Sequence, residues 1–79
     1  MKEKHSNRHM KLGLRIAYFR KMNGLTQEQL AEKIEKSAGY IGAIEATNVD
    51  RAISMDTLFD ISDALDVPAH RFLQFDDEN

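Results

Sequence analysis

Few side chains in this sequence could do chemistry on a substrate. His5 and His9 stand four residues apart, a spacing that would put two imidazoles on one face of a helix. No third ligand lies nearby in the sequence, and a structural zinc site takes four, so no metal is expected. There is no Cys, which removes disulfides, thiolate ligands and thiol nucleophiles. A serine nucleophile would need a base beside it, and the three His lie at the N-terminal end or at an element edge. No phosphate-cradling or dinucleotide-type glycine pattern occurs. The sequence therefore predicts no catalytic residue, no cofactor, no small-molecule substrate and no enzyme. What remains is charge. Residues 1–36 hold nine Lys/Arg against four Asp/Glu, a balance of +5, and residues 37–79 hold two against nine, a balance of −7. Such a dipolar chain can turn one basic face to a polyanion. Scattered solubilising charge gives the same totals, so composition does not choose between the two.

The elements that must position any site are helices. Seventy-nine residues allow one small core. Leu12, Ile16 and Phe19 fall at i, i+4, i+7, one apolar stripe of a helix starting near residue 11. Asn23-Gly24 ends it, with glycine suited to a left-handed stop. Thr26 with Gln29 three residues on forms a capping box, and Leu25 with Leu30 a hydrophobic staple. Leu30, Ala31 and Ile34 line the second helix. Ser37 caps a third, with Ile41 and Ile44 as its apolar edge. Residues 46–53 have no helical period and read as a loop. Ser54 caps a fourth helix with the stripe Met55, Leu58, Ile61, Leu65 and an acidic outer face of Asp56, Asp60 and Asp63. Pro68 starts a last short helix with Phe72 and Leu73; Phe72 falls in the core, and Phe75 at the rim or at a dimer contact. No alternating run is long enough for a strand. The fold class is all-α: five short helices around one core. Residues 1–10 are expected to be a flexible basic arm, 11–75 the domain, and 76–79 an acidic tail. No apolar run approaches the roughly 20 residues that span a bilayer, and the first residues lack the apolar stretch of a signal peptide. A soluble, cytoplasmic protein is expected.

Two short helices joined by a tight turn make a helix-turn-helix, here at about 26–46. By geometry alone the signal is moderate, since many helical hairpins bind nothing. The segments "LGLRIAYFRKMNGLTQEQLAEKI", "YIGAIE" and "SMDTLFDISDALDVPAHRFL" resemble the helix-turn-helix family of phage Cro and repressor proteins, the XRE family. The resemblance covers about residues 11–75 and implies a lambda-repressor-like fold, double-stranded DNA as partner and a homodimer on a pseudo-palindromic operator.

It also implies roles. Gln27 matches a position that contacts a DNA phosphate and supports the reading helix. Ser37 matches a phosphate-contacting cap. Ala38, Gly39, Gly42 and Ala43 match positions whose side chains reach base edges. Arg20 and Glu45 match an ion pair tying the first helix to the third. Lys36, Asn48 and Arg51 flank the reading helix and suit phosphate contacts, and Tyr40 suits half-buried packing with its hydroxyl at a phosphate.

The chain departs from the family pattern in three places. The turn between the second and third helices carries Glu35 and Lys36 where the pattern has Gly and an apolar residue. A left-handed Glu35 would cost roughly 1 kcal/mol, so a remodelled turn is expected. The loop after the third helix is longer. And "SAGYIGAIE", residues 37–45, holds no Arg, Lys, Asn or Gln, the side chains of direct base readout. Three explanations stand open. The small residues let the helix sit deep in the groove. Or the arm, with Arg8 and Lys11, reads a minor groove instead. Or base reading is lost and the smooth surface meets a protein. The first gives a sequence-specific transcriptional regulator; the last gives a protein-binding adaptor of antirepressor or antitoxin type.

Overall fold

Three of the four α-helices end on the same backbone device, and that device sets the turns of the fold. The computed structural model describes residues 4–48 and 51–75. The acidic tail predicted for 76–79, the first three residues of the arm, and Val49 and Asp50 of the loop lie outside the described residues. The chain runs through α1 (Ser6–Met22), α2 (Gln27–Lys33), α3 (Ala38–Glu45), α4 (Met55–Leu65) and a closing 3-10 helix (Ala69–Leu73). At the end of α1, Leu25 N–H donates to Arg20 O (3.2 Å) and Gly24 N–H to Lys21 O (2.9 Å). At the end of α2, Lys36 donates to Ala31 O (2.9 Å) and Glu35 to Glu32 O (3.3 Å). At the end of α4, Val67 donates to Ser62 O (3.1 Å) and Asp66 to Asp63 O (3.2 Å). This is the Schellman pattern, which satisfies the last carbonyls by turning one residue left-handed. The left-handed residues are Gly24 (φ 72°), Glu35 (φ 59°) and Asp66 (φ 55°).

Glu35 thus corrects one expectation. The turn between α2 and α3 is not remodelled; it keeps the left-handed geometry with a glutamate in it. The two carbonyl bonds and the packing of α2 on α3 hold the residue there against its steric cost.

The helix starts follow side-chain chemistry. Thr26 Oγ1 accepts from Gln29 N–H (3.0 Å) while Gln29 Oε1 accepts from Thr26 N–H (2.8 Å), closing the capping box of α2. Ser37 Oγ accepts from Tyr40 N–H and Ser54 Oγ from Thr57 N–H, each at 3.1 Å. α1 is different. It starts at Ser6, five residues before the start its apolar stripe predicts, so residues 6–10 are helical rather than irregular. No side chain caps it; Arg8 Nη1 lies 3.0 Å from His5 Nδ1 across its first turn.

The core is Ile16, Phe19, Leu30, Ala31, Ile34, Ile41, Ile44, Leu58, Ile61, Leu65 and Phe72. Leu12 and Leu25 pack against it from the side. One residue of the predicted stripe of α4 lies outside, and Leu73 of the closing helix is exposed too. Met55 is 56% exposed and Leu73 is 48% exposed. Met55 is the first residue of α4, where the chain is still entering the core, and the buried Thr57, bonded through its hydroxyl to Ser54 (3.1 Å), takes the inner place. Leu73 follows the fully buried Phe72 in a helix of three residues per turn, which points successive side chains about 120° apart. The fifth helix is this 3-10 turn, so the architecture is four α-helices and a closing 3-10 helix among the described residues. None of these helices is long and apolar enough to cross a membrane.

Candidate nucleic-acid interface

α3 rests on two neighbours, α2 and α1. Its apolar edge, Ile41 and Ile44, is buried, and Ile41 is fully so. The approach of α1 to α3 is set by Gly13. A Cβ built there would lie 2.1 Å from Ile44 O, a backbone atom, so no other residue fits without separating the two helices. Sequence reasoning passed over Gly13. The signal was present: a glycine inside a helical stripe is costly and marks close packing.

The second tie is polar. Glu45, the last residue of α3, accepts from Arg20 Nε (2.7 Å) and Nη2 (2.9 Å), and also from Gln27 Nε2 (3.0 Å). Arg20 Nη1 donates to Leu25 O at 2.7 Å. One carboxylate therefore joins α1, the first turn of α2 and the end of α3. The Arg20 and Glu45 side chains are only 8% and 6% exposed. The Arg20 guanidinium is held above its ordinary pKa, first by its hydrogen bonds to Glu45 and then by Glu45's charge, with burial opposing. Each side chain satisfies the other, so removing one would strand its partner.

Gln27 has a definite place in this network. Its side chain lies over Gly42, with Oε1 3.4 Å from where a Cβ at 42 would stand, and its amide reaches on to Glu45. Its side chain braces α3, which leaves its second Nε2–H and its backbone N–H as the donors it could offer an anion.

The outward surface of α3 is small. Gly39 is exposed; Ala38, Tyr40, Gly42 and Ala43 are half-buried. At Gly39 a Cβ would meet nothing nearer than Ser37 Oγ at 3.9 Å. So the fold does not require glycine at 39, and at 42 the contact is an ordinary one. Donors surround this smooth face. Lys36 and Ser37 are exposed before its first turn, and Asn48 and Arg51 are exposed in the loop after it. No acidic residue sits in the first turn of α3, so the positive end of the helix dipole is not neutralised there. Lys36 Nζ and Arg51 Cζ both lie against the Tyr40 ring, 5.4 and 5.6 Å from its centroid. Arg8 and Lys11 are not in an extended arm of the kind that enters minor grooves; both belong to α1.

Comparison with known proteins follows the same geometry. A family model described as helix-turn-helix matches residues 16–72. Among solved structures, the restriction-modification controller protein C.AhdI from Aeromonas hydrophila superimposes with a TM-score of 0.80 at 27% identity, over 89% of this chain and 99% of that one. A hypothetical transcription factor, NHTF, from Neisseria shares the fold with a TM-score of 0.77 at 24% identity, over 90% of this chain and 79% of that one. No curated protein sequence matches the chain.

Proposed function

The chain belongs to the helix-turn-helix family, and on that premise we propose that it is a DNA-binding transcriptional regulator that occupies an operator through α3. The observation that carries this reading is the pairing of a costly smooth face with a rim of donors. Glycines cost a helix roughly 0.5–1 kcal/mol each relative to Ala, less in the first turn than in the interior, and nothing within the fold demands them at 39 and 42. Their smallness has a use if another surface approaches the helix backbone closely. The rim of Lys36, Ser37, Asn48 and Arg51 suits an anionic surface, and α3, eight residues long, spans about 12 Å at 1.5 Å per residue, comparable to a major groove about 12 Å wide. Sequence preference then comes from thymine methyls against Ala38 and Ala43 and from DNA shape. A homodimer places two such helices on half-sites about 34 Å apart, one helical turn of DNA. Similarity to a restriction-modification controller protein favours regulator over enzyme.

Selection of bound sites from random duplex DNA tests the proposal. An enriched, pseudo-palindromic motif is expected. Binding without a motif, and with a steep loss in salt, would make the protein a nonspecific DNA coat. No binding at low salt would leave the smooth face to a protein partner.

A further inference from the structure

We propose that the ring of Tyr40, rather than its hydroxyl, is the anchor that holds Lys36 and Arg51 as a two-pronged clamp for a DNA phosphate. The proposal rests on the reading of α3 as the DNA-facing helix. Tyr40 is half-buried and packs against the core, so the fold fixes the ring itself. Lys36 Nζ stands 5.4 Å and Arg51 Cζ 5.6 Å from its centroid, inside the roughly 6 Å at which a cation is drawn to an aromatic face. The two cations come from opposite ends of α3. Lys36 precedes the cap Ser37, and Arg51 lies in the loop beyond Glu45. One side chain of α3 therefore gathers charge from both flanks of the helix and ties the loop to it.

Gathering two like charges on one ring raises their mutual repulsion, and the first turn of α3 supplies no carboxylate to offset it. An anion relieves that repulsion. A phosphate oxygen meeting the clamp finds two long side chains already narrowed in their rotamers, so less freedom is lost on contact. The hydroxyl of Tyr40 is not needed for any of this.

The full-length chain and its variants would be titrated onto a fluorescent mixed-sequence duplex of about 20 base pairs across a salt series, since each phosphate contact contributes about 0.9 to the slope of log affinity against log salt. Tyr40→Phe keeps the ring and is expected to bind within about twofold of wild type with the same slope. Tyr40→Leu, checked for folding by circular dichroism, is expected to bind about tenfold or more weakly, with a slope lowered by about 0.9 to 1.8, one or two contacts. Lys36→Ala and Arg51→Ala should each cost much less in the Tyr40→Leu background than in wild type. In the free protein, the side-chain protons of Lys36 and Arg51 should show ring-current shifts in wild type and Tyr40→Phe, which reads the contact even if Tyr40→Leu folds poorly. The clamp is overturned if Tyr40→Leu matches wild type in affinity and slope, if Tyr40→Phe is as weak as Tyr40→Leu, or if the ring-current shifts are missing. A wild-type chain that shows the shifts yet ignores the duplex at low salt brings down the DNA reading, and the clamp with it, which is a different result from a bound duplex indifferent to residue 40.

Discussion

Gly39→Ala should make the protein more stable and worse at binding DNA. The space around residue 39 decides the first half. A methyl there meets nothing closer than Ser37 Oγ at 3.9 Å, so it brings no clash. Alanine in place of glycine gains up to roughly 1 kcal/mol in a helix interior. Gly39 is in the first turn of α3, where fewer backbone bonds are at stake, so about 0.5 kcal/mol is the better figure. For a domain of this size that raises the melting temperature by about 2–4 °C. The second half follows from the exposure of the same atom. If DNA packs on the α3 backbone, an added methyl overfills a close contact, a cost of roughly 1–3 kcal/mol, or about a five- to 150-fold loss of affinity.

Thermal unfolding by circular dichroism and anisotropy on a selected site measure the two halves on one sample. Opposite signs are the signature of a position kept small for a partner. A stabilised variant with unchanged affinity would refute the argument, because the cost of glycine would then have no counterpart in binding. A destabilised variant would refute the local geometry.

Other substitutions probe neighbouring parts of the same structure. Gly13→Ala should be strongly destabilising, by several kcal/mol in urea unfolding, because its Cβ would meet Ile44 O at 2.1 Å and only a shift of α1 from α3 can relieve that. Glu45→Ala leaves Arg20, 7% exposed, without its carboxylate and should cost about 3 kcal/mol, the low end for a buried pair; a loss below about 1 kcal/mol would mark the pair as merely solvated. Because Arg20 binds its proton more tightly folded than unfolded, its contribution is complete below the ordinary guanidinium pKa and fades only above it, so the stability difference between wild type and Arg20→Met should not change as pH rises from about 7 to 9. Glu35→Gly removes a left-handed glutamate (φ 59°) and should add about 0.5–1 kcal/mol, with a smaller gain for Asp66→Gly, since Asp enters that region more readily. Lys36→Ala should weaken binding to all duplexes alike and lower the salt slope by about 0.9; a changed base preference would place Lys36 at a base.

How far the sequence could be read depended on the range of the interaction concerned. The starts of α2, α3 and α4 were legible because caps are local: Thr26 with Gln29, Ser37 with Tyr40 and Ser54 with Thr57 each act within three residues; α1 has no side-chain cap, and its start was misplaced. Most of the core was legible because helical spacing records which face is buried. Met55 escaped that logic because the first residue of a helix has not yet turned inward. The turn at Glu35 was misread for a different reason. Its steric cost is visible in the residue type, while the bonds that offset it, from Lys36 to Ala31 and Glu35 to Glu32, are backbone bonds that residue type does not reveal.

The site divides along the same line. Its residue types could be read one by one, but their alliances could not. That Gln27 spends its amide on Glu45, that Gly13 sets the depth at which α3 sits, and that Lys36 and Arg51 meet at one ring are relations across more than ten residues of chain. The exception is Lys36 with Tyr40, four apart. What looked in sequence like a reading helix stripped of its vocabulary is, once folded, a bare face tied to its neighbours by a carboxylate and ringed by donors. Rigidity matters most where contacts are few. A helix that offers methyl groups and backbone discriminates by fit, and fit requires that the surface not move. The Arg20–Glu45–Gln27 network and the Gly13 contact would then do for specificity what long polar side chains do elsewhere. On that argument loosening either tie without unfolding the chain, as Gln27→Ala should, would blur base preference before it lowers overall affinity.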